Sequence, residues 1–141
     1  MKKVAPFLEM VYSVNSSKAQ PEGFPSVKTK VNQLSDTNAN IIYEYLINGI
    51  KVIEFLSSEK DICDHKVSVP TKVFTDGSYV WTMMIPHLVK NYKVLLPKEF
   101  INHIKKQNKY GNQYDKNSIE QILESLKGNR VNDYVKFSDN E

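Results

Sequence analysis

The stretch VFTDGSYVWTMMIPHLVKNYKVLLPKEFINHI, from Val73 to Ile104, decides how the rest of the chain is read. Val73-Phe74-Thr75 and Tyr79-Val80-Trp81 are two runs of branched and aromatic residues, the composition of strands. Between them lies Asp76-Gly77-Ser78. Gly77 accepts the positive φ of a tight turn and Asp76 can hydrogen-bond its own backbone, so a hairpin is expected. With Asp76 and Gly77 at its centre, Thr75 faces Ser78, Phe74 faces Tyr79, and Trp81 stands near Lys72. After Thr82 the period becomes helical: Ile85, Leu88, Val89 and Tyr92 fall at i, i+3, i+4 and i+7, with Pro86 in the first turn. Asn91 to Val94 breaks that helix. Pro97 opens a second one, with Glu99 in its first turn, an apolar face of Phe100, Ile101 and Ile104, and Lys105, Lys106 and Lys109 at its end, as the helix dipole favours. Both helices are too short to stand alone. They must pack on the hairpin, with the large indole of Trp81 as anchor.

The pattern Asp-Gly-x-Tyr-x-Trp, a short helix, then Leu-Pro-x-Glu-Phe-x-x-His-Ile resembles small bacterial proteins encoded beside polymorphic toxins, including immunity proteins of contact-dependent growth inhibition systems. The residues that carry it are Asp76, Gly77, Tyr79, Trp81, Leu96, Pro97, Glu99, Phe100, His103 and Ile104. They cover less than a quarter of the chain and speak to architecture more than to activity. The resemblance implies a cytoplasmic protein that binds a cognate toxin domain, a nuclease effector, and occludes its active site. It carries over no site residue.

Outward from this stretch the chain is plainer. Phe7 to Val14 suits a strand or a helical turn, since its apolar residues do not choose between periods, with the strand preferred, and Asn15 to Pro25 reads as a loop. Val27, Thr29 and Val31 alternate with Lys28, Lys30 and Asn32, an edge strand with one solvated face. Ser35 or Asp36 caps a helix over 37–47 whose face is Ile41, Ile42, Tyr45 and Leu46, and Asn48-Gly49 stops it. Ile50 to Leu56 is a strand, Ser57 to Asp64 a polar loop, and Lys66 to Val69 a short strand leading into the hairpin. Ile119, Ile122, Leu123 and Leu126 give a last helix over 118–127, and Val131 to Phe137 a terminal strand. The expected fold is α+β in one domain. A small, mostly antiparallel sheet from 27–32, 50–56, 66–75 and 79–82 carries three or four helices at 37–47, 84–92, 97–107 and 118–127.

Composition excludes several classes. A chain of 141 residues buries a core without disulfides, and a lone Cys63 fits a reducing compartment. No signal peptide and no apolar run long enough to span a bilayer is present, so no membrane role is expected. A net charge of +3 is too mild for a dedicated nucleic-acid binder.

No catalytic, metal or cofactor motif stands out, and an enzyme is not expected. His87 and His103, sixteen residues apart, could serve acid–base cleavage of RNA, but each sits beside an apolar stripe and reads better as a packed imidazole. Cys63 and His65 lack the further pair that zinc needs. Glu59, Asp61 and Asp64 form an acidic cluster in a loop, and Asp76 on the hairpin tip could join them. Such carboxylates would steer a basic partner and stand in for phosphates against a nuclease. The competing reading is a small RNA-binding or RNA-cleaving protein built on Lys90, Lys93, Lys98, Lys105, Lys106 and Lys109. Its aromatics fall mostly on apolar faces, not where bases would stack.

Overall fold

The hairpin is the centre of a four-stranded sheet. The computed structural model describes residues 2–11, 22–110, 120–121 and 133–138. Strands β1 (Lys2–Lys3), β2 (Ile50–Lys60), β3 (Ser68–Thr75) and β4 (Tyr79–Thr82) lie in the order β1-β4-β3-β2. The β2–β3 and β3–β4 pairs are antiparallel and β1–β4 is parallel. With helices α1 (Leu8–Val11), α2 (Asp36–Ile47), α3 (Met84–Tyr92) and α4 (Lys98–Tyr110), this is the expected α+β architecture with a mostly antiparallel sheet.

The helices follow their sequence signals. Ser35 Oγ accepts the Asn38 amide at 3.1 Å and starts α2, and the Asn48 amide closes it on Glu44. Ile85, Leu88 and Val89 of α3 and Phe100 and Ile104 of α4 are fully buried. Trp81 is 1% exposed. Its ring lies 6.3 Å from Tyr45 of α2 and 5.7 Å from Phe100 of α4, and its Nε1 donates to the Leu46 carbonyl at 3.2 Å. The indole therefore joins two helices to the sheet, satisfied at its polar edge as a buried tryptophan must be. Gly49 is small for the same reason: a Cβ there would lie 2.8 Å from the indole.

Several expected elements differ. The hairpin pairs Thr75 with Val80, Phe74 with Trp81 and Val73 with Thr82, and the Asp76 amide donates to the Tyr79 carbonyl, so the turn centres on Gly77-Ser78 and not on Asp76-Gly77. The Asp76 carboxylate accepts the Ser78 and Tyr79 amides and so holds the shifted turn. The edge strand expected over 27–32 is instead a 3-10 turn, Val27–Thr29. Glu9 of α1 accepts the Val27 amide and the Ser26 hydroxyl, Asn32 turns at φ 61°, and the Lys30 carbonyl accepts Leu95. The backbone groups of this segment thus go to neighbouring loops and not to a ladder. The alternation also misled about Lys30, which is buried with Nζ over the Phe137 ring.

At Phe7–Val14 the helical turn, and not the preferred strand, is what forms, over Leu8–Val11; residues 12–14 lie outside the described residues. The strand expected to stop at Leu56 runs on to Lys60, through Ser57-Ser58-Glu59-Lys60. β1 was not foreseen as a strand. It pairs in parallel with β4 on one edge, and on its other edge Lys3 bonds the Asp133 carbonyl and the Val135 amide; over the described residues 133–137 the expected terminal strand is only this isolated bridge at Tyr134. The helix over 118–127 lies outside the described residues except for helical residues 120–121.

Candidate functional site

Two buried aspartates at the two ends of β3 organise the polar side chains of this protein. Asp61, just past β2, has a fully buried side chain. One of its oxygens accepts the Cys63 and Asp64 amides at 2.7 and 3.2 Å. The other accepts the Tyr92 hydroxyl at 2.8 Å and lies 2.6 Å from His87 Nε2. Asp76, just past β3, repeats the arrangement. One oxygen accepts the Ser78 and Tyr79 amides at 2.9 and 2.8 Å, and the other accepts the Tyr45 hydroxyl at 2.6 Å and lies 2.7 Å from His103 Nε2. An ionised carboxylate only accepts, so each imidazole carries its proton on Nε2. Each aspartate shapes its own loop with one oxygen and clasps helical residues with the other. Asp61 holds α3, and Asp76 holds α2 and α4.

The electrostatics follow from these bonds. Burial pushes the Asp61 carboxyl up most strongly of any single influence. Donors from His87, the Cys63 amide, Tyr92 and the Asp64 amide together outweigh it and hold the group below the usual carboxylate range. Tyr92 is pushed up to about 12 by burial and then by its bond to Asp61. Tyr79 is likewise pushed up to about 12, by burial and by its bond to Glu99. Glu99 accepts both the Tyr79 hydroxyl and Lys2 Nζ at 2.9 Å. Among the described residues, every buried side-chain polar atom has a partner.

The residues that carry the resemblance meet one another here. Asp76 bonds His103, Tyr79 bonds Glu99, and Trp81 packs on Phe100. The Tyr79 and His103 rings lie 4.5 Å apart, and Phe100 and His103 are stacked. What looked in sequence like two motifs is one interlock between the hairpin and α4.

The four expected partner-contacting carboxylates are not brought together on one surface. Glu59 and Asp64 are exposed, as expected. Asp61 and Asp76 are buried and committed to their clasps, so the expectation that they face a partner is corrected. A loop aspartate followed by free amides folds inward when an imidazole and a phenol can complete its hydrogen bonding, and nothing local to Asp61 or Asp76 announces those partners. Glu59 instead lines a cleft of about 190 Å³ with Lys3, Glu9, Met10, Lys60 and Met84. Burial there pushes its carboxyl up, partly offset by Lys3.

His87 and His103 are packed imidazoles that do not converge. They serve opposite ends of an eight-residue strand, about 25 Å of extended chain. Cys63 is half-buried, its thiol pushed up by burial and then by Asp61, and His65 is exposed. Among the described residues no group of three histidine, cysteine, aspartate or glutamate side chains could hold a metal ion. The lysine-rich region is partly engaged. Lys90 lies over the Tyr43 ring and Lys93 pairs with Asp36. No described helix is long and apolar enough to cross a membrane. Comparison with protein-family models, curated proteins and solved structures finds no match for this chain.

Proposed function

We propose that this chain is an immunity protein that binds a cognate toxin domain, a nuclease effector, in the cytoplasm and occludes its active site. One observation carries the reading. The residues on which the resemblance rests bond to each other in this fold: Asp76 with His103, Tyr79 with Glu99, Trp81 with Phe100. They join the hairpin and α4 into one interlock. That interlock uses its polar groups internally, which suits a rigid platform whose recognition lies elsewhere. Pre-organisation of this kind lowers the ordering cost of association. Glu59 and Asp64 are exposed at the far end of β2 and in the loop beyond it, and in this reading they are the carboxylates that meet a basic partner.

Co-purification with the toxin domain encoded by the neighbouring gene tests this. The expected result is a stoichiometric complex that survives gel filtration at micromolar concentration, with association slowed in a Glu59→Lys, Asp64→Lys variant and at high salt. Two proteins that elute separately at that concentration would remove the reading.

A further inference from the structure

The cleft at the far end of β2 holds a carboxylate without a partner among the described residues, that of Glu59. The cleft lies between that end of β2, the chain leading from β1 into α1, and the start of α3. At about 190 Å³ it has room for one extended side chain, or about six waters at roughly 30 Å³ each. Pockets for drug-sized ligands start near about 300 Å³. Val4, Met10, Ile62 and Met84 give it apolar walls. Two of these are methionines, whose unbranched thioethers adapt to a methylene stem.

Four charged residues line the cleft, and they are not equivalent. Glu9 uses both carboxylate oxygens inside the protein, accepting the Ser26 hydroxyl at 2.6 Å and the Val27 amide at 2.9 Å. Lys3 Nζ lies over the Tyr134 ring, 5.8 Å from its centroid. Lys60 follows Glu59 in β2, so its stem leaves the strand on the opposite face. Burial pushes the Glu59 carboxyl up, and the one cation that offsets this is Lys3, not Lys60. Glu9 and Glu59 therefore face Lys3 alone, which leaves one negative charge unmatched. Glu59 is also exposed enough to be met from outside.

We propose that this cleft receives one guanidinium group on an aliphatic stem, an arginine side chain of the toxin domain, with the stem along Met10, Ile62 and Met84 and the head on Glu59. A guanidinium is weakly hydrated and forks onto a carboxylate through two parallel N–H···O bonds. Arginine is also among the residues that carry interface energy when seated in a partner's pocket. The identity of the occupant rests on the toxin reading; its chemistry rests on the cleft.

Butylguanidinium titrated into the full chain tests the chemistry. It should shift the Met10 and Met84 methyl resonances and saturate in the millimolar range, as a fragment of one side chain does. Hexanoate, an anion on a similar stem, should leave them in place. Glu59→Gln, with an unchanged urea midpoint to show that it is folded, should abolish the shifts. In the toxin complex the same variant should raise Kd by about tenfold or more, the loss of one charge-assisted contact. No shift with butylguanidinium, equal shifts with hexanoate, or shifts that survive Glu59→Gln each overturn the guanidinium site. A toxin complex indifferent to Glu59→Gln overturns the arginine occupant while the toxin reading stands. Butylguanidinium binding in a chain that forms no toxin complex removes the toxin reading and upholds the site.

Discussion

Asp61 and Asp76 show how much a single carboxylate can organise. Each accepts two backbone amides, a tyrosine hydroxyl and an imidazole N–H. Replacing either by asparagine puts an N–H among donors and leaves buried groups unpaired. Asp61→Asn and Asp76→Asn should each lower stability by about 2–4 kcal/mol, read from urea midpoints at unchanged slope. The two clasps share no partner and sit at opposite ends of β3, so the double variant should lose the sum of the single losses. The pH dependence has a definite sign. Asp61 has a folded pKa below its ordinary 3.8, so its contribution is fully present above that value. It is lost as pH falls through the lower folded value, and Asp61→Asn should flatten the acid limb of the stability curve. Tyr79 and Tyr92 behave in the opposite sense. Their pKa values are raised from 10.0 to about 12, so the stability they lend is present below pH 10 and drains away toward pH 12. Phenolate absorbance should show Tyr79 and Tyr92 ionising late, and their loss by Tyr→Phe substitution should remove late-ionising phenols; early ionisation of both would contradict these bonds.

At the scale of elements, α2 and its exit were legible because their signals are local. Ser35 caps, Asn48 and Gly49 stop, and the structure places both ends within a residue of expectation. Ser35→Ala should cost about 1 kcal/mol in the urea midpoint. Gly49→Ala should cost more, about 1–3 kcal/mol, because the new methyl meets the Trp81 indole. A Gly49→Ala protein as stable as the wild type would show that the indole is loosely held. β2 was only half legible. Ser57-Ser58-Glu59-Lys60 is loop-like in composition, yet Ser58, Glu59 and Lys60 pair with Pro70, Val69 and Ser68. Strand preference here is set by the neighbouring backbone and not by the side chains. The segment 27–32 fails in the other direction. Its alternation mimics a strand, but Glu9 and Ser26 offer the backbone local partners that a strand would have to displace.

At the scale of the molecule, order should grade from the interlock outward. Hydrogen exchange should be slowest for the amides of β4 and the adjoining half of β3, where Trp81, Val80 and Phe74 are buried, and fastest across Phe55 to Ser57. Slow exchange there in the isolated protein would mean that something covers this part of β2. The sequence by itself determined the hairpin, the three longer described helices, and the role of Trp81 as anchor. Each of these follows from turn chemistry, periodicity or side-chain size within a short window. Only the tertiary structure decided the parallel β1–β4 pair, the hairpin register, the length of β2, and the burial of Asp61 and Asp76. The physical reason is distance along the chain. Asp61 finds His87 across 26 residues, and Asp76 finds His103 across 27 and Tyr45 across 31. A carboxylate with such partners goes inside, and without them it would stay in water.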